Sequence, residues 1–600
     1  MSPDVSPPTF DLTREPWLLV RFDDGVREVS LREAFAQAHD IRSVVGELPT
    51  QSFALVRLLL AILHSAVRPI IDSGGITPVK LWGRLWSSPE PLSEVTDGYL
   101  DRWQHRFDLL HPSEPFYQVA GLRTDKGEAT GLERIIADVP NGEPYFTTRR
   151  GRGVERIGLA EAARWLVHAQ AFDPSGIKSG VVGDDRVKGG KGYPIGTAWA
   201  GSIGGLLIEG STLRETLLLN LVLGDTSTGA WIDFPDDVPI WERENLPGPG
   251  VRIGPEREGW LPTGPLDLLT WQSRRIRLAV EGDVVTGVLL ANGDRLWSQN
   301  RHPLEHMTVW WRSEPQEKKL GLPRVYMART HAPERALWRG LAALLPQAAQ
   351  DKLGAEGSRS LPPGNLSWIA TLQFAGVRDD DHVLRTRAIG IKYGSNDSII
   401  EEIVDDAVSI HSMLLAEQGK ELAAAAVTAV ENTDSAVTAL VNLAGNLAIA
   451  AGGEADGARK RARELGYFAL DAPFRRWLSE LATGTSALEA REDWYAKAYR
   501  ILRDLGDHLP ILAIGDHQEI AAATGRVQEG QSRKLRLELQ QRRLAARPPR
   551  DQPVQFAAQV IQKQRPDHLH DIGFGRVVRA LRPAFLRIHH RLEQRTEDGR

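Results

Sequence analysis

An α+β fold in two parts is predicted: a large, irregular mixed α/β domain over residues 1–395, then a helix bundle over residues 396–600. Three observations carry this. Six hundred residues exceed what one hydrophobic core usually serves. Strand-like runs in the first two thirds lie among loops rich in Pro, Gly and Trp, including Leu246 to Gly264. From Asn396 onward helical windows follow one another, mostly separated by Gly- or Pro-marked breaks.

Taken in order, Thr13 to Val20 (TREPWLLV) suggests a short strand, with a turn at Asp23-Asp24-Gly25. A helix then opens at Ser30, whose spacing to Glu33 fits a capping box. Thr50 to Val67 is apolar almost all round, the pattern of a helix packed deep in a large domain. Arg275 to Leu290 alternates like a hairpin turning at Gly282-Asp283, and Leu384 to Tyr393 is a further strand. Ser398 to Leu415 puts Ile399, Ile403, Ala407, Ile410 and Leu414 on one helical stripe, leaving Glu401-Glu402 and Asp405-Asp406 toward solvent. Helical windows follow at Glu421 to Ala451, Arg459 to Leu470, Phe474 to Ala482, Ala487 to Leu505 and Gln528 to Ala546. No repeat at a solenoid or propeller period is visible.

Composition narrows the function. A net charge of -5 argues against a chain that coats nucleic acid nonspecifically, so any nucleic-acid contact must be local. The absence of cysteine excludes disulfides, thiol nucleophiles, iron-sulfur ligation and thiolate zinc sites. The N-terminus lacks a charged and apolar leader pattern, and no run approaches the length of a membrane span. A cytoplasmic protein without membrane contact is expected.

The segment from Phe172 to Gly205 places ten glycines and four Lys/Arg in 34 residues. Glycine costs ordering entropy and adds no packing, so such density suits close backbone approach to a ligand, or else a mobile connector. Neither GxxxxGK[ST] nor a GxGxxG after a strand is present, which argues against nucleotide binding. Lys178, Arg186, Lys188 and Lys191 remain able to meet a nucleic-acid backbone. His302/His306 and His568-Leu569-His570-Asp571 have ligand-compatible spacing, yet neither carries a full ligand set. GxSxG is missing. Arg526 to Arg550 concentrates eight Lys/Arg against two Glu, a basic face or simply a solvated one.

Several strings, taken in their order, make the chain resemble the CasA family, the large subunit of the type I-E CRISPR Cascade complex. They are EPWLLVR, ELPTQSFALVRLLLAIL, FDLLHPSEPFYQ, IKSG, LLIEGSTLRETLLLNL, LDLLTWQSRRIRL and ERALWRGLAALL. The resemblance implies a mixed α/β domain joined to a C-terminal four-helix bundle, with no enzymatic activity. It implies a subunit that reads the protospacer-adjacent motif of double-stranded DNA from the minor groove and opens the duplex for R-loop formation. It also implies contact with the CRISPR RNA 5′ handle, the other Cascade subunits and a recruited helicase-nuclease. The family's glycine loop falls on Pro174, Ser175, Gly176, Ile177 and Lys178, with Pro174 and Ser175 departing from a glycine run. Its wedge is matched to the acidic stretch Asp379, Asp380 and Asp381, its lysine finger to Arg295, and its RNA-handle contact to Phe146, Arg149 and Arg150. No cofactor and no structural metal are expected. The rival reading is a stand-alone phosphate-handling or metal-dependent enzyme using the glycine loop and the HxHD segment. A scaffold that binds only protein partners is the third.

Overall fold

The computed structural model describes residues 9–139, 149, 152–243, 259–346, 358–379, 381–482 and 484–524. These fall into two compact units. One comprises the described residues up to Val430 together with Phe474–Trp494; the other comprises Glu431–Pro473 and the described residues from Tyr495.

The first unit is α+β, built from small antiparallel sheets around buried helices. Leu18–Phe22 pairs with Gly25–Val29 across the expected turn, and Ser43–Val44 adds on the other side. Ser30 then caps the helix Leu31–Ala36: its Oγ accepts from Glu33 N at 3.2 Å, and Glu33 Oε2 accepts from Ser30 N at 2.8 Å. Both orphan amides are thereby satisfied, as the capping box requires. Pro49–Asp72 is the central helix. It is the sole described helix long and apolar enough to cross a membrane, yet 78% of its apolar window is buried inside the protein, so its all-round apolarity reflects core packing.

Burial also extends to charge. Arg57 of this helix meets Glu305 through two hydrogen bonds of 2.9 and 2.8 Å, with side chains 4% and 1% exposed. Trp199 Nε1 and Met307 N donate to the same carboxylate. Burial pushes Glu305 toward protonation, but Arg57 and these donors outweigh it and hold its pKa below the usual value.

Two sheets position the candidate site. In one, Arg274–Glu281 and Val284–Asn292 form a hairpin turning at Gly282, with Ile157–Gly158 on its outer side. In the other, Val383–Tyr393 lies between Gly205–Glu209 and Ile400–His411, antiparallel to both. The helix expected over Ser398 to Leu415 is therefore a strand through His411. Val404, Val408 and Ile410 are buried at even positions, a period of two. Pairing with eleven residues of Val383–Tyr393 overrides the coincidental helical spacing of the isoleucines. Asp405 binds Arg387, while Asp406 accepts from Leu337 N and Arg475. The polypeptide turns to long helices at Lys420, after this hairpin has passed through residue 395.

Those helices are Lys420–Ala450, Ala455–Ser479 and Ala487–Thr524. The second runs through Pro473, joining two windows that the sequence separates; Gln528 to Ala546 lies outside the described residues. In the second unit the helices pack through glycine. A Cβ at Gly466 would sit 3.3 Å from Leu440 and Val437, and one at Gly506 would sit 3.8 Å from Leu440 and Leu443. Tyr467 Oη donates to Asp434 at 2.9 Å. In the first unit Phe474, Trp477 and Trp494 form an aromatic cluster with Trp338.

Candidate nucleic-acid interface

The helix Leu159–Phe172 ends at Asp173, and the chain leaves it as a loop leading into the two-residue strand Lys178–Ser179. One buried arginine shapes that loop. Arg274, 1% exposed, donates from Nε to the Asp173 carboxylate and from Nη2 to the carbonyls of Asp173, Pro174 and Gly196. Lys178 Nζ lies 2.5 Å from the same carboxylate, and its side chain is only 8% exposed. Burial presses the ammonium below its ordinary pKa, with Asp173 opposing that and Arg274 adding to it. Lys178 is thus an internal brace of the loop.

What the loop offers outward is backbone and Ile177, 48% exposed. Ser175 N donates to Asp397 O at 2.8 Å. Gly176 has φ +120°, and a Cβ there would lie 3.7 Å from Ser398 Cβ. Both contacts join the loop to the turn between Val383–Tyr393 and Ile400–His411, where Ser395, Asn396, Asp397 and Ser398 are all exposed. Asn396 and Asp397 take φ of 56° and 54°, a left-handed conformation that Asn and Asp tolerate better than other side chains. The helical spacing of Ile399, Ile403 and Ile410 hides this turn in the sequence. Its local signal, Gly394-Ser395-Asn396-Asp397, is a turn pattern.

The other expected residues fall elsewhere. Asp379 and Asp381 are exposed before Val383, at the far end of the eleven-residue strand Val383–Tyr393. At a rise of about 3.3 Å per residue that is roughly 35 Å from the loop. They pair with histidines, Asp379 with His382 at 2.9 Å and Asp381 with His411 at 3.3 Å; Asp380 lies outside the described residues. Beside them Arg378 is buried with its guanidinium over the Trp86 ring, 4.5 Å from the centroid. Arg295 is exposed just past the end of Val284–Asn292, next to Asp294, which is buried against Arg275 at 2.7 Å. Asn292 Nδ2 donates to Tyr193 O at 2.7 Å, tying that strand end to the glycine-rich segment.

Arg149 is ion-paired with Asp138 at 3.0 Å and Glu161 at 2.6 Å, its side chain 15% exposed; Phe146 and Arg150 lie outside the described residues. His302 stands edge-on to Trp310 and Tyr326, and His306 Nε2 lies 3.1 Å from Pro303 O. Among the described residues no three His, Asp or Glu are grouped as metal ligands. His568, His570 and Asp571 lie outside them.

A family model described as CRISPR-associated protein Cse1 matches residues 11–505. A curated relative from Thermus thermophilus, CRISPR-associated protein CasA/Cse1, is 30% identical over 349 residues; the match spans 56% of this chain and 60% of that protein's length. The crystal structure of Thermobifida fusca Cse1 superposes with a TM-score of 0.77 at 47% identity, covering 86% of this chain and 94% of the other. A chain of a CRISPR RNA-guided surveillance complex shares the fold at 20% identity, with a TM-score of 0.52 over 89% of this chain and 99% of that one.

Proposed function

Because the chain belongs to the CRISPR-associated Cse1 family, we propose that it is a noncatalytic large subunit of a type I-E CRISPR RNA-guided surveillance complex, working in the cytoplasm. In this reading it inspects double-stranded DNA for a protospacer-adjacent motif from the minor groove and helps open the duplex for R-loop formation. It also contacts the CRISPR RNA 5′ handle through the 141–152 segment, binds other Cascade subunits and recruits a helicase-nuclease. The long helices Lys420–Ala450, Ala455–Ser479 and Ala487–Thr524 belong, in this reading, to a C-terminal four-helix bundle.

One observation carries the DNA reading: the bracing of the loop Pro174–Lys178 against the exposed turn Ser395–Ser398 through Ser175 N and Asp397 O. Both elements are thin and present mainly backbone, Ile177 and short polar side chains. The minor groove is about 6 Å wide with a degenerate pattern of acceptors. Slender elements of this kind fit it, and a small apolar side chain such as Ile177 is the type that wedges between base steps there. Lys178 and Arg274 act behind this surface, fixing the loop's shape.

The test substitutes Asn396→Gly and Asp397→Gly together, which keeps the left-handed backbone accessible while removing both side chains. Binding of motif-containing duplex by the assembled complex is expected to weaken about tenfold or more, one good base-edge contact being worth ~1–3 kcal/mol. Co-purification with the small RNA and partner subunits is expected to be unchanged. Wild-type duplex affinity in this variant overturns the assignment.

A further inference from the structure

We propose that the hairpin tip Lys188-Gly189-Gly190-Lys191, together with Tyr193, is a binding site for single-stranded DNA. The inference rests on the reading above for the identity of the strand, and on the following geometry for the site.

The tip is a tight reversal. Lys188 N donates to Lys191 O at 3.1 Å and Lys191 N to Lys188 O at 3.2 Å. Gly189 and Gly190 between them have φ of +58° and +71°, the pair of left-handed residues that a two-residue type I′ turn demands. Nothing lies within 4 Å of a Cβ built on either glycine, so the outward side of the tip is open, while its inner side rests on Gly180, whose N donates to Gly190 O at 3.1 Å.

Residues that exchange both backbone hydrogen bonds sit directly opposite each other, with Cα atoms about 5.5 Å apart and side chains on one face of the ribbon. Lys188 and Lys191 therefore project together. Both are exposed, and among the described residues neither has an ion-pair partner. Tyr193, 54% exposed, follows Lys191 by two positions, the spacing that returns a side chain to the same face of an extended chain. Two unneutralised ammonium groups beside an exposed ring match the chemistry of single strands, whose phosphates meet cations while an unpaired base stacks on an aromatic face.

The mount beneath the tip is firm. Ser179 pairs with Lys191 and Lys178 with Gly192. A Cβ at Gly180 would collide with Gly190 at 2.4 Å, so only glycine lets the two limbs close. Val181 is buried with Leu122, Leu289 and Ala291, and Tyr193 O is held by Asn292. Asp184 is engaged by Arg186, which withdraws one nearby acid, while Asp185 stays exposed three residues before Lys188. Because the ribbon starts at Lys178, the tip is only about 10 Å from the loop proposed to face the duplex. A strand freed there passes it.

The experiment measures binding of the full-length chain to a fluorescein-labelled oligothymidylate by anisotropy across a salt series. Lys188→Ala/Lys191→Ala is expected to weaken binding and to flatten the slope of log K against log salt by about 1.4, the value for two lost single-strand phosphate contacts. Tyr193→Ala should weaken binding by roughly 5- to 150-fold with little change of slope. Lys188→Arg/Lys191→Arg should restore the slope, which separates charge from any effect on folding. An unchanged slope in the alanine variant, or tighter wild-type binding of oligouridylate than of oligothymidylate, overturns the proposal. Loss of duplex recognition in the Asn396→Gly/Asp397→Gly complex alongside unaltered oligothymidylate binding in the hairpin variants would sink this inference and leave the motif-reading role standing. The reverse pattern would do the opposite.

Discussion

Arg274 gathers the carboxylate of Asp173 and the carbonyls of Ser273, Asp173, Pro174 and Gly196 onto one buried guanidinium, while Lys178 adds a second cation to that carboxylate. The two cations are not equivalent. Arg274→Met strips partners from several buried acceptors and is expected to cost about 3–5 kcal/mol. Lys178→Met leaves Asp173 still paired and should cost only about 1–2 kcal/mol. Chemical denaturation of the two variants checks the order, and equal losses would contradict it. At this scale the sequence was half legible. The density of glycine marks Phe172 to Gly205 as special, but the partner that shapes its first residues, Arg274, is a hundred positions away and just ahead of the run that alternates as a hairpin. A lone lysine in a basic loop reads as a phosphate ligand until a carboxylate is found 2.5 Å from it.

Among the elements, those announced by local chemistry were recovered: the capping box at Ser30, the turn at Gly282-Asp283 and the apolar helix through Leu58. Ile400–His411 was not, because its residues satisfy two periods at once and only the neighbouring strand decides between them. The same sheet limits what its members tolerate. A Cβ at Gly205 would lie 2.8 Å from both Ile389 O and Phe53 Cζ, so Gly205→Ala must push the strand off its partner or displace the ring. A loss of about 1–3 kcal/mol is expected, read as a lower melting temperature. An unchanged midpoint would mean that the sheet edge is softer than its packing implies.

Over the whole molecule, several histidines are held neutral inside the first unit. Burial drives His64 and His168 down to a pKa of about 3, with His306 and Arg68 adding to the effect at His64 and Asp173 opposing it at His168, while His168 Nε2 keeps Thr50 Oγ1 at 3.0 Å. The unfolded chain binds protons near the ordinary value of about 6.5 and the folded chain does not, so their effect is absent above that pH and stability falls as pH drops toward 3. At about pH 4.5 each is expected to cost ~2–3 kcal/mol. His168→Gln should lose that much less than the parent between about pH 7.5 and 4.5 in matched denaturation curves; parallel losses would refute the linkage. Family membership was legible at this scale because many weak strings in a fixed order constrain a chain more than any one of them. The wedge matched to Asp379–Asp381 illustrates the limit: a string match carries no information about which end of a strand faces the loop.

The 3.7 Å that would separate a Cβ at Gly176 from that of Ser398 is also the span of a disulfide, whose Cβ atoms sit about 3.8 Å apart. In a chain with no cysteine of its own, Gly176→Cys/Ser398→Cys would install a single covalent staple between loop and turn, at some strain from the positive φ of residue 176. Oxidant and reductant then become a switch. If opening the duplex requires the loop and turn to part, the oxidised complex should hold motif DNA without melting it and resume melting once reduced; equal melting in both states would mean that the two elements work as one rigid jaw.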